Sequence, residues 1–468
     1  MANDNAMIQD EVLDELDRAW DDLITGLQAA RSALRDPACF PPPAGDRNNA
    51  EGYRYLLGHL HRLIETELQQ DADFPYIQHH PGLVGKYTID NADCSYLYAP
   101  LRPGVFYRLT GRAADCSHWR GARNPQAASC APNYVIFEAH TVAPGDSGGI
   151  QELVDGSRVI TAKLDSRELQ VDSDGRFEVL IGPVRPAGHT SNFIATLATQ
   201  GTPLPRGDIA KEDMHAHRFY IRELFGDWAR EQPLDELYIE RIDRAGSYPA
   251  PRAARTTAAQ LRQLGWLVNN HLRYWTTMYG LLLDPFQQSD EYKPGRLPLN
   301  ALTPVRANST ERGGGQATNL MTGGLFRLED GEALLVEFEL DAEPDHLGFH
   351  LGNHWGESLD FANHVSSLNH LQSRRDADGR YRYIVSARDP GIQNWLDTTG
   401  QPAGYLTVRF TFSEKPDEAH FPRASARLIG FDRLRAELPS ETPTFDTRQR
   451  IEQIRVRQRH VAQRYRQY

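Results

Sequence analysis

The chain has 468 residues, 40% of them hydrophobic and 24% charged, and a formal net charge of −12. That length exceeds one ordinary domain, the composition is globular, and the negative balance argues against nucleic acid as a general partner, because phosphate contacts need a positive field. The longest apolar runs, such as LLVEFEL (334–340), fall well short of the roughly 20 residues a bilayer span requires, so no membrane span is expected.

The acidic start MANDNAMIQDEVLDELD lacks a positive stretch leading into an apolar one, so no secretory signal is expected and a cytoplasmic location is the default. Within 1–75, Leu13, Leu16, Trp20, Leu23, Ile24, Leu27 and Leu34 recur at helical steps. CFPPPAGDRNN (39–49) stops that helix, and Tyr53, Leu56, Leu57, Leu60, Leu63, Ile64 and Leu68 mark a second. The two are expected to pair antiparallel and cover the neighbouring β region. Cys39, Cys94, Cys116 and Cys130 have neither C-x-x-C pairing nor zinc-ligand spacing and read as reduced thiols, and no cofactor is expected.

From 76 to 205 the texture is short strands between turn signals: SYLYAPL, VFYRLTG, NYVIFEAHT, SRVITA, RELQV and RFEVLIG, with DSDG (172–175) as a tight turn. This predicts an antiparallel β domain. From 206 to 290 helices are expected to connect the parts, first through Met214, Phe219, Ile221, Leu224, Phe225 and Trp228. A second and longer helix runs through Leu261, Leu264, Leu267, Val268, Leu272, Trp275 and Leu282, buried between two β parts. A connector with Gly313, Gly314 and Gly315 leads to a C-terminal β-sandwich over 291–440, where ALLVEFEL and YLTVRFTF alternate. No internal repeat is evident beyond both halves being β-rich. The tail 441–468 carries seven arginines against one glutamate over 447–468 and reads as a basic helix, docked on its own body or joining copies in a homo-oligomer. The fold class is therefore mainly β with helical segments (α+β): two antiparallel β-sandwich or jelly-roll-like domains, an N-terminal helical pair and connecting helices.

GDSGG (145–149) matches the nucleophile loop of chymotrypsin-like proteases, but no upstream histidine and aspartate stand where that triad needs them, so it reads as a turn. His346, His350 and His354 share one face of a strand and would lie roughly 13 Å apart, too far to ligate one ion. A turn after Gly352 could gather His354, Glu357 and Asp360 or His364 into a two-histidine, one-carboxylate group. RDPGIQNWLDTTG (388–400) is turn chemistry around an anchoring indole.

Residues 352–400 are dense in tryptophan, histidine, carboxylate and arginine. Over 333–412, G-N-x-W-x-E-S-L-D, S-S-L-N, D-A-D-G-x-Y and D-P-G-x-x-N-W-L-D stand in order. In these motifs the chain resembles the bacterial domain of unknown function (DUF) 1214 family. DNADCSYLYAPL, DGRFEVLIG and ELFGDWAREQPLDELYIERID resemble the N-terminal region of its two-domain relatives. The resemblance implies jelly-roll-like β domains with connecting helices and carries no catalytic residues. The site reading rests on residue types: a small, largely apolar molecule (lipid, steroid, terpenoid or aromatic) is expected between the C-terminal sandwich and the long helix. Trp355, Trp395 and Tyr405 would form its wall, Arg388, Asp389 and Asn394 would orient it, and His354, Glu357 and Asp360 would handle protons. A carbohydrate-binding or assembly module and a divalent-metal enzyme are the alternatives.

Overall fold

The computed structural model describes residues 2–80, 82–121, 128–153, 159–205, 209–283, 297–307 and 318–465. The Gly313–Gly315 connector and part of the Cys116–Cys130 insertion lie outside them. The architecture is mainly β: two antiparallel sandwiches, with helices packed over and between them.

The first sandwich faces a five-stranded sheet, in the order β1 (Gln78–His79), β2 (Cys94–Pro100), β10 (Arg218–Leu224), β4 (Tyr134–His140), β5 (Ile160–Asp165), against a four-stranded one. The latter runs β11 (Asp235–Arg241), β3 (Tyr107–Arg112), β6 (Arg176–Gly182), β7 (Phe193–Ala195). A short ribbon, β8 (Leu197–Ala198) with β9 (Met214–His215), lies outside. The second sandwich has β12 (Arg306–Ala307), β13 (Leu320–Arg327), β19 (Ala403–Thr411), β15 (His346–Gly352) and β16 (Ser367–Asn369) in one sheet. The other holds β18 (Trp395–Asp397), β17 (Tyr381–Ser386), β14 (Glu332–Glu339) and β20 (Arg423–Gly430).

Set side by side, the strand orders are the same. With β8 and β9 left out, β1 to β7, β10 and β11 correspond in chain order to β12 through β20, and each small sheet closes on a parallel pair, β6–β7 and β17–β18. Register agrees: Tyr220 stands between Tyr98 and Glu138, and its counterpart Thr407 between Gly323 and His350. The asparagine ahead of each parallel strand repeats its bonds. Asn192 accepts from Gln170 N and donates to Gln170 O and Glu178 O, while Asn394 accepts from Arg374 N and donates to Arg374 O and Arg382 O. The molecule is thus an internal duplication, which sequence reading missed because the shared feature is topology.

The helical expectation for Met214–Trp228 is corrected: these residues form β9, the central strand β10 and the turn after it. Phe219 and Ile221 alternate into the core with Tyr220 and Arg222 on the other face, a period of two that outweighs the i, i+3 coincidences. α1 (Ala2–Ala33) and α2 (Asp46–Ile64) do not form the main helical pair. α1 lies along α3 (Ala254–Leu283), where Gly26 and Gly265 let the backbones touch: a Cβ at Gly26 would strike Gly265, and one at Gly265 would sit 2.9 Å from Leu23 Cα. No described helix is long and apolar enough to cross a membrane.

The basic tail forms α4 (Thr447–Arg464), opened by a reciprocal cap between Asp446 and Gln449. Its arginines turn inward at seven-residue steps. Arg450 bonds Asp389 and Ile392 O; Arg457 bonds Phe361 O and Ser367 while stacking on Trp228; Arg464 donates to Ala92 O and lies over Phe225 and Trp228. The helix fastens both halves of its own chain through this inward face.

Candidate functional site

The outer faces of the two five-stranded sheets turn toward each other, with α2, α3 and the segment Gly82–Asp93 between them. On α2, Tyr55, His59 and Arg62 fall at steps of four and three, and on α3, His271, Trp275 and Tyr279 fall at steps of four, so each helix presents one stripe inward. The rings meet in a chain. Tyr55 lies 4.4 Å from His59 and 5.6 Å from Trp355; Tyr87 lies 5.0 Å from Trp275; Trp275 stacks on Tyr279 at 5.9 Å; Tyr279 lies 6.0 Å from Tyr405. Trp355 Nε1 donates to Asn48 O, and the Tyr405 hydroxyl to Tyr279 O. Gly356 takes a φ of +77°, and a Cβ there would run into the Tyr279 ring.

At one end stands a polar cluster. The buried Arg62 donates through Nη2 to His59 Nδ1 at 2.6 Å and His271 Nδ1 at 2.9 Å, with its guanidinium 4.1 Å from the Tyr87 ring. His271 Nε2 is 2.9 Å from Asp146 Oδ1, and Arg218 is 3.2 Å from Asp146 Oδ2. Burial opposes ionisation of Asp146, but Arg218 and His271 hold it well below the usual carboxylate range. Burial, reinforced by Arg62, drops His271 to about 4 against the pull of Asp146. His271 is therefore neutral, donating from Nε2 and accepting at Nδ1. Asp146 belongs to the GDSGG loop, yet the Ser147 hydroxyl bonds Glu152 and Gly149 O. With both ring nitrogens engaged, His271 is not available to take the proton of that serine.

At the other end stands Glu357. Asn353 Nδ2 donates to its carboxylate at 2.8 Å. Burial, with help from Asp90 and Glu51, raises its pKa to about 7 against the opposing Asn353 and Lys86. Lys86 Nζ is held by Ser358 O and Oγ at 3.1 Å each, and Asp90 accepts from Ser358 N and Oγ. Nearby Thr88 and Ile89 adopt φ of 69° and 49°, strained for β-branched residues. Ile89 is pinned by its N–H on Gly356 O and its carbonyl on Arg409. Between the two ends, the hydroxyls of Tyr55 and Tyr279 and Trp275 Nε1 are buried without a hydrogen-bond partner among the described residues.

The residues expected at the site part company here. Trp355 and Tyr405 join one cluster with α3 beneath the helices, and the Glu357 charge acts on Tyr55 of that cluster. Trp395 belongs to another cluster, on the outer face of the four-stranded sheet with Leu335, Ile384 and Ile429, and its Nε1 is spent on Ser386. The expected convergence of Trp355 and Trp395 is therefore corrected: alternate faces of one sandwich carry them apart. Arg388 is exposed over Phe431; Asp389 binds Gly391 N and Arg450; Asn394 ties three backbone groups and edges a cleft of about 10 Å³, room for one water. Asp360 is exposed and caps Ala362 and Asn363. His354, lowered to about 4 by burial, faces Asn48. His364 pairs with Asp397 at 2.8 Å, so His354, Glu357, Asp360 and His364 point to separate partners, and no metal-holding group of three occurs among the described residues. His346 and His350 do share a strand face, buried against Asp93 and Arg409. Sequence reading missed Tyr55, His59, Arg62, Asp146 and His271. The signal available was a polar and aromatic stripe on two otherwise apolar helices.

No family model matches the sequence, and no curated protein matches it. Among solved structures, a putative uncharacterized protein from Burkholderia cenocepacia superposes with a TM-score of 0.68 at 23% identity, covering 90% of this chain and 99% of that one. The VPA0106 protein from Vibrio parahaemolyticus gives a TM-score of 0.39 at 10% identity over 86% of this chain and 100% of that one. The first likeness speaks for the fold: two sandwiches with their helices recur in another bacterial protein.

Proposed function

We propose that the chain binds a small, largely apolar molecule among Tyr55, Tyr87, Trp275, Tyr279, Trp355 and Tyr405 and transforms it by acid–base chemistry, with Glu357 moving the proton. One observation supports this reading above others. Aromatic residues with buried, unpartnered polar atoms stand beside a carboxyl raised to about 7. Buried polar atoms ordinarily find partners, and apolar walls with a few convergent polar groups and a carboxyl tuned to neutrality are what a general acid–base site needs. The expected roles of His354 and Asp360 pass to Glu357 alone, since Asp360 is spent on a turn and His354 faces α2. Membership of the DUF 1214 family and a cytoplasmic location belong to the same proposal.

The test is a thermal-shift screen of lipids, steroids, terpenoids, aromatics and oligosaccharides. A ligand at about 100 times its Kd adds about 2.7 kcal/mol of stability. Apolar ligands that stabilise the wild type support the reading, and Glu357→Gln should then abolish turnover while binding survives. Stabilisation by oligosaccharides alone, or full activity in Glu357→Gln, would reject it.

A further inference from the structure

Arg62 is 1% exposed and carries its charge into the interior, where an uncompensated cation is costly. Among the described residues no carboxylate pairs with it; its Nη2 serves two histidine nitrogens, and Nε and Nη1 have no partner. Asp146, linked to Arg62 through His271, is engaged by Arg218, by His271 and by Ala143 N. Two of the unpartnered atoms around Arg62 are donors. His59 accepts at Nδ1, so its unpartnered Nε2 carries the hydrogen, and Trp275 Nε1 only donates. The His80 ring, 2% exposed and 6.2 Å from the Tyr87 ring beneath the guanidinium, has both nitrogens unpartnered. Water alone would satisfy the donors but not the charge.

We propose that Arg62, with His59, His80 and Trp275, binds the anionic group of the ligand, and that the ligand is a small organic monoanion of the carboxylate class. This rests on the aromatic site proposed above and extends it: the apolar body lies among the rings, and the charged head reaches the polar end. A single charge fits best, because Asp146 and Glu67 both act on Arg218, and Arg62 is the guanidinium of this cluster left without a carboxylate among the described residues. A doubly charged phosphate would bring a second negative charge with nothing to meet it.

The experiment compares phenylacetate with its neutral isostere phenylacetamide on the full chain, by calorimetry in halide-free buffer, for the wild type, Arg62→Gln and Trp275→Phe. Phenylacetate should bind the wild type at least about tenfold more tightly than the amide. Arg62→Gln should erase that preference, and Trp275→Phe, which removes one donor and keeps the ring, should reduce it. Should Arg62→Gln fail to fold, bromide soaked into wild-type crystals is the second measurement, with an anomalous peak expected against Arg62. Equal affinity for acid and amide, a preference that survives Arg62→Gln, or no bromide at Arg62 would overturn the anion site. Equal affinity for acid and amide in a wild type that apolar ligands still stabilise would overturn the anion site while leaving the aromatic site standing.

Discussion

The two sandwiches have one topology and opposite characters on the faces they turn to each other. On the first, Tyr96, Tyr98, Glu138, His140, Tyr220 and Arg222 project outward. On the second, the matching positions are Met321, Gly323, His350, Gly352, Thr407 and Arg409. Only one pairing is kept in kind: Arg222 stands 3.2 Å from Glu138, and Arg409 3.1 Å from His350. Tyrosines on the first face stand where the second has methionine, glycine or threonine. Glycine on the second lets Gly82–Asp93 approach, a Cβ at Gly348 falling 2.9 Å from Asp93, while Tyr405 and Glu357 keep chemistry on that side as well. A duplicated scaffold can thus divide its labour while each copy keeps its core, because alternation along a strand separates the face that packs from the face that does not.

The largest expected effect comes from cutting the link between the halves. Arg457→Ala strands Phe361 O and Ser367 O and removes the contact with Trp228, and should cost about 3–5 kcal/mol in denaturant unfolding. Two separated unfolding transitions in this variant would mean that α4 couples the sandwiches, whereas a loss below about 1 kcal/mol would mean that it does not. Next come the paired asparagines. Asn192→Ala and Asn394→Ala each remove three bonds at buried positions and should each cost about 2–3 kcal/mol. Unequal losses would break the equivalence of the two copies.

A smaller effect depends on pH. Glu223 in β10 and Glu357 after β15 are both raised by burial to about 7. Between the ordinary carboxylate value and 7 the folded chain keeps a proton that the unfolded chain has lost, so each group lowers stability as pH rises through that window. Glu357→Gln should therefore raise stability at pH 8 by about 1–2 kcal/mol and leave it unchanged at pH 4. His79, His271, His354 and His370, all lowered by burial to about 4, act oppositely: their stability is present above about 6.5 and is lost as pH falls toward 4. Four such groups outweigh two carboxyls, so Tm should fall from pH 7 to pH 5; a rise would sink this account. The smallest effect serves as the control. Arg427, exposed and paired with Glu437 at 2.8 Å, should cost at most about 0.5 kcal/mol on change to Ala.

Sequence by itself determined the classes of local structure: α1, α2 and the long α3 from their period of 3.6, and most strands of both sandwiches from their period of two. Where both periods fit, as in Met214–Trp228, the choice fell to tertiary pairing with β2 and β4. Half of the candidate site was legible, Trp355, Glu357 and Tyr405, since they cluster in a stretch too rich in chemistry for plain β structure. Trp395, Arg388 and Asn394 look the same in sequence and differ only in which face of the sheet they occupy. Arg62 and His271 lie 209 residues apart, and Asp146 and His271 125. No local pattern encodes such meetings, because they arise from how two sheets and two helices stack once apolar burial has chosen their faces.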